Sequence, residues 1–461
     1  MSSLPSSSPA VSHGQGTRLV VLIGHESSAS PADLALSSAG LAEISFLADS
    51  TQTGESLLWQ IARGVAPTTL VDFADYPACL AAVRQAGATA VTTFMDRWCA
   101  LAARLNRALG ADAGNQVPWG RKDQHRRILR EAGLSRIASI VPTEHAQLRE
   151  FADTVGFPLI LKPVDGFASR NTWLLEDRDD LERLLGPVHA PALDLTGLYA
   201  EEFIRSCGPL APGLADYASV EVFRSGSAAG PAGSTTFITH RTPQAWPCRE
   251  TGPVLPSPLP AERQRELIGF TERVLDALGA YRGMYHVEVK PSPTGLEVIE
   301  VNGRIGGYIA KAVHYGTGQD LARLGLASAL GRAPAVELDW RRCVQALLFQ
   351  APAEARRIVR SPSRRELSRL PGVIAIESVS AVGAEVHWRT GTLGLVAAVW
   401  LTADDLDELH RRVVRTSEFL TDEFGYVDAH DRPVRDRSWL ELLTAQDDPP
   451  AQATTNGEVI G

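Results

Sequence analysis

The sequence predicts an α/β protein of several domains, and three observations carry that prediction. Residues 18–24 (RLVVLIG) and 88–94 (ATAVTTF) are short apolar runs with helical patterns between them, the signature of buried parallel strands in an open sheet. Residues 285–307 (YHVEVKPSPTGLEVIEVNGRIGG) read as a β-hairpin whose alternating positions carry acids. From about residue 336 the pattern changes again, to strands at 342–350, 375–382 and 393–401 and a helix at 403–420.

Composition sets the limits. The chain has 461 residues, 44% hydrophobic and 21% charged, enough for about three domains with full cores. A net charge of −9 gives no electrostatic support for nucleic-acid binding. Cys79, Cys99, Cys207, Cys248 and Cys343 are scattered without a C-x-x-C pair, which argues against zinc or a disulfide framework and points to a reducing cytoplasm. Residues 1–16 are Ser-rich, with neither the cationic start nor the apolar core of a signal peptide. They and the tail 441–461 are expected to be disordered. No apolar run is long enough to span a membrane.

In chain order, residues 17–118 form the first domain, with helical patterns at 76–86 and at 98–109, the latter closed by Gly110. It lacks G-x-G-x-x-G, so no dinucleotide site is expected there. Residues 119–133 (WGRKDQHRRILREAG) are a basic helix that, taken alone, reads as a solvated charged face. Residues 157–162 are a strand ending in Lys162, followed by a small-residue loop to 171 and a second strand at 172–176. Lysine is seldom buried without a partner, and phosphate binding explains both an ammonium there and a loop of backbone N–H groups after it. Residues 199–204 (YAEEFI) and 216–224 (DYASVEVFR) are strands, and 262–278 is an amphipathic helix with Leu267, Thr271, Val274, Leu275 and Leu278 on one face.

The hairpin is the most informative stretch. Taking residues 291–295 as a five-residue turn puts Glu288 opposite Val298, with Glu300 as its diagonal neighbour. His286, Glu288 and Lys290 then share one face, and on the return strand Leu296, Val298, Glu300 and Asn302 share one face. Two carboxylates aimed at one spot repel unless a cation lies between them. Hard oxygen ligands with a carboxamide two residues on suit Mg²⁺, which borrows its other ligands from phosphates and water. Arg304 and the Gly306-Gly307 pair follow at once, and glycine lets backbone approach a ligand closely.

H-x-E, about a dozen residues, then E-V-N-G-R-x-G-G resembles the metal- and phosphate-binding strands of ATP-grasp ligases. Upstream stretches match that family's other parts in order: K-D before a helix, F-P-x-I-x-K-P with a phosphate-covering loop, a hinge strand, and S-V-E. The resemblance implies an α/β domain at 17–118, an ATP-grasp domain at 119–336 with its lid at about 155–205, and a C-terminal domain at 337–440 that closes over substrate. It implies ATP as cosubstrate, with Lys122, Lys162 and Ser169 at the phosphates, and the hinge to Ile204 with Glu201 or Glu202 at the adenine. Glu221 would meet ribose or substrate. Glu288, Glu300 and Asn302 would hold two Mg²⁺ ions, and Arg304 would act on the transferring phosphoryl group. Ala168 and Asn171 stand where the family often has glycine. The implied reaction joins a small-molecule carboxylate to an amine through an acylphosphate, as in the L-amino-acid ligase branch, in the cytoplasm and commonly as a homodimer. Other ATP-grasp chemistry (a purine-pathway ligase or a biotin-carboxylase-like subunit) and a non-catalytic nucleotide-binding regulator are the alternatives.

Overall fold

The computed structural model describes residues 16–52, 57–186, 193–230, 233–332 and 336–445. Residues 1–15 and 446–461 of the expected tails lie outside the described residues, whereas residues 441–444, expected to be disordered, end helix Ser438–Thr444, which is held by the buried Leu440 and Leu443. The N-terminal sheet is parallel throughout, in the order Thr68–Val71, Glu43–Asp49, Arg18–Ile23, Ala90–Thr93. Its central strand is buried on both faces. Leu19, Val21 and Ile23 enter one core and Val20 and Leu22 the other, which explains the unbroken apolar run. The two flanking strands at 43–49 and 68–71 were not expected; each mixes polar and apolar positions and so hides among the helices.

Four antiparallel strands form a second sheet, in the order Ser139–Ile140, Leu198–Glu202, Leu159–Pro163, Trp173–Leu175. Helices His145–Val155 and Arg178–Leu185 pack against it and give it a core of its own, including Leu148, Leu161, Leu181 and Ala200. This unit takes in most of the stretch at about 155–205 that the resemblance assigns to a lid, and begins earlier, at Ser139.

Eight strands form the largest sheet, antiparallel at every junction: Gly295–Asn302, Arg282–Ser292, Ala218–Ser225, Ser234–Arg241, Pro253–Leu255, Cys343–Gln350, Leu395–Ala403, Val373–Val379. It runs straight through residue 336, where the sequence suggests a domain boundary. Period-two alternation gives strand Cys343–Gln350 two cores. Val344, Ala346 and Leu348 share a core with Leu19 and Val21 of the N-terminal sheet, while Leu347 and Phe349 pack with Leu409, Val413 and Leu420 of helix Leu406–Glu423. Helix Ala261–Ala277 covers Val220, Val222 and Val287 on the near half.

The hairpin departs from the predicted register. Its turn is only Pro293-Thr294, because Ser292 already pairs with Gly295. A β-bulge between Glu288 and Val289 then places Glu288 directly opposite Glu300, not Val298. Ile299 is the extra residue, and it resets the alternation. Val298 and Val301 both enter the core, while Ile299 and Glu300 line a cavity, so the predicted shared face of Val298 and Glu300 is corrected.

Candidate active site

A cavity of about 560 Å³ lies between lid, hairpin and the C-terminal end of the described chain. Lys122, Lys162, Ser169, Glu201, Glu202, Ile204, Glu288 and Glu300 all line it, so residues spread over almost 180 positions converge on one space. Glu221, Asn302 and Arg304 are not among the lining residues.

Lys122 opens helix Lys122–Glu131, and Lys122, His125, Arg126 and Leu129 turn inward at helical spacing. The helix is thus not the solvated charged face it resembles. Lys122 Nζ reaches the Gly166 carbonyl oxygen and stands 3.3 Å from Glu300 Oε1. Burial alone would raise the Glu300 pKa; Lys122, Lys162 and Arg304 outweigh it and hold the carboxyl below its ordinary range.

Glu201 is the hub of the lid side. It accepts from Lys162 Nζ at 2.5 Å, from Arg126 at 3.0 and 3.2 Å and from the Tyr199 hydroxyl at 3.0 Å. Burial opposes its charge, but Lys162 and Arg126 prevail and bring its pKa down to about 2. Its oxygens therefore serve to fix Lys162, whereas the half-buried Glu202 accepts from the Ala138 N–H at 3.4 Å. Arg126 escaped the sequence reading; the stripe it forms with Lys122 and Leu129 was the available signal.

Glu221 does not reach the cavity. It is fully buried, one oxygen 2.6 Å from His286 Nδ1 and the other accepting from the Gly306 N–H at 3.3 Å. His286 Nε2 lies 3.3 Å from Glu288, so the imidazole bridges two carboxylates and orients the one at the cavity. Burial disfavours the imidazolium, yet Glu221 and Glu288 raise its pKa to about 9. Gly306 has a local reason as well: a Cβ there would sit 2.7 Å from His286 Nδ1. Arg304 donates from Nε and Nη2 to Asp96 of the first domain, at 2.8 and 2.6 Å.

Glu288 and Glu300 face each other across the hairpin, and Asn302 pairs with His286 one step along. Among the described residues no three His, Cys, Asp or Glu side chains gather as a metal-holding group. Two carboxylates and a carboxamide are the partial oxygen set that suits Mg²⁺ completed by phosphate and water.

Residues 155–312 match the family model of the ATP-grasp domain. The chain carries an ATP-grasp domain. Its overall fold is similar to an L-amino acid ligase from Bacillus licheniformis, with a TM-score of 0.66 at 18% identity over 92% of this chain and 100% of that one. It is also similar to the N5-carboxyaminoimidazole ribonucleotide synthetase of Thermus thermophilus, with a TM-score of 0.59 at 17% identity over 87% and 98%. A carboxyaminoimidazole ribonucleotide synthase of Aspergillus clavatus, solved with ATP, gives a TM-score of 0.62 at 15% identity over 88% and 99%. These likenesses show the ATP-grasp fold. In sequence, 86 residues are 40% identical to carnosine synthase 1 of Gallus gallus, a stretch that spans 18% of this chain and 9% of that protein. The domain match takes in Lys162, strand Leu198–Glu202, the bulged hairpin and Arg304, while Lys122 and Asp96 lie before it.

Proposed function

We propose that the protein is an ATP-dependent carboxylate–amine ligase that joins small molecules, amino acids first among them, and releases ADP and phosphate. The observation that supports this reading above others is the convergence of Lys122 and Lys162 with the facing pair Glu288 and Glu300 in one cavity beside the hinge. The two ammonium groups oppose phosphate charge, and Ser169 and its loop cover it. Glu202 and the backbone up to Ile204 take the adenine side, because Glu201 is spent on Lys162, Arg126 and Tyr199. Glu288, Glu300 and Asn302 would hold Mg²⁺, in our reading two ions, whose charge neutralises that developing on the phosphates. Arg304, oriented by Asp96, stabilises the transferring phosphoryl group and the oxyanion of the tetrahedral adduct. The substrate carboxylate attacks the γ-phosphorus, ADP leaves, and the amine displaces phosphate from the acylphosphate.

The test is phosphate release from MgATP with amino acids offered singly and in pairs, with product nucleotide identified. Release that needs a particular pair and yields ADP is the expected result. AMP as product would overturn the acylphosphate route.

A further inference from the structure

The loop that covers the cavity is held in place from outside the ATP-grasp domain. Phe167, Ser169 and Arg170 line the cavity, yet Ala168, Ser169 and Asn171 all have left-handed backbone, with φ of 53°, 54° and 49°. Residues with a Cβ disfavour that region, so three of them in four positions persist only where neighbours fix the loop. Most of those neighbours lie more than 200 residues downstream, in segment Trp388–Gly394. The Thr392 N–H donates to the Ala168 carbonyl at 2.9 Å, and the Asn171 N–H donates to the Arg389 carbonyl at 3.2 Å. Between these two bonds stands Gly391, at φ 65° and ψ −147°. A Cβ there would overlap the Ala168 oxygen and lie 2.7 Å from Arg170 N. The segment is anchored in turn to the large sheet: Thr392 Oγ1 accepts from Glu250 N at 3.1 Å and Thr392 O from Gln350 Nε2 at 3.3 Å. On the other side Arg170 reaches Glu26 of the first domain at 3.2 Å.

We propose that segment Trp388–Gly394 is a clasp for the cavity-covering loop, and that Gly391 is a positioning residue that lets the two backbones meet. The consequence for nucleotide rests on the ligase reading above; the clasp itself does not. The C-terminal region thereby takes part in closing the phosphate end of the site.

The loop contains its own reporter, because Arg170 is a tryptic site with an exposed side chain. Limited trypsin digestion, read by mass spectrometry for cleavage after Arg170 against cleavage at other arginines, is compared among wild type, Gly391→Val and Thr392→Val. Calorimetric titration with MgADP is run on the same three proteins. Gly391→Val is expected to speed cleavage after Arg170 about tenfold, with other sites unchanged, and to weaken MgADP by about tenfold. Thr392→Val, which removes the hydroxyl that accepts from Glu250 N and so loosens the clasp segment itself, is expected to speed that cleavage about two- to threefold; it decides the matter if the glycine variant does not fold. Equal cleavage after Arg170 in all folded proteins overturns the clasp. Faster cleavage in the variants without any MgADP binding to wild type upholds the clasp and overturns the nucleotide reading.

Discussion

Glu201 shows how a buried charge can be read as machinery when its partners are counted. It is ionised only because Lys162, Arg126 and Tyr199 surround it. Its folded pKa of about 2 lies below the ordinary 4.5, so the native carboxylate keeps its charge while the unfolded one takes up a proton. That stabilisation is present above pH 4.5 and drains away as pH falls toward 2. In urea unfolding, the gap between wild type and Glu201→Gln should be largest above pH 5 and should shrink across that window; a gap independent of pH would disprove the ionised hub. Arg126→Met strands the same carboxylate with one cation fewer and should cost about 3–5 kcal/mol, measured likewise at pH 7. Glu300→Gln keeps the shape of the hairpin but removes one of its two facing charges. It should leave the melting temperature within about 3 °C of wild type while lowering phosphate release at least about 100-fold.

At the scale of the element, the bulge decides which side chains reach the cavity. Ile299 is the extra residue between Val298 in the core and Glu300 at the cavity. Deleting it would leave Val298 and Glu300 consecutive on a regular strand, so Glu300 would keep the cavity face and Val301 the core face without a bulge. The deletion should therefore retain MgATP binding in calorimetry, as should Ile299→Val; loss of binding in the deletion alone would show that Glu300 needs the bulge itself to reach the site. This is also where the sequence was least legible. Its acids, the hairpin and Lys162 could be found from alternation and from charge at the end of an apolar strand. The register could not, because a two-residue turn plus a bulge gives nearly the same spacing as a five-residue turn. Partners separated by long stretches of chain were equally hidden: neither Asp96 beside Arg304 nor Arg389 beside Asn171 leaves any local pattern. The central strand Arg18–Ile23 was plain because both its faces are apolar, while the edge strand Thr68–Val71 was not.

For the whole molecule, the continuous eight-stranded sheet matters more than the change in sequence character near residue 336. Strand Pro253–Leu255 is hydrogen-bonded to Ser234–Arg241 on one side and to Cys343–Gln350 on the other. All eight residues of the latter strand are buried. Its Val344, Ala346 and Leu348 belong to the same core as Leu19 of the first sheet and Ile309 and Val313 of helix Ile309–Thr317. If the C-terminal region were an independent domain, a chain ending at residue 336 would fold, bind MgATP and lose only substrate selection. The sheet argues otherwise. Truncation would bare the edge of Pro253–Leu255, with Val254 and Leu255 both buried in the intact protein, and would remove the segment that clasps the cavity-covering loop. The truncated chain should therefore be recovered insoluble or, if soluble, should bind the dye ANS and lack near-ultraviolet circular dichroism. A cooperative melting transition with native-strength MgATP binding would show instead that the first 336 residues close their own core.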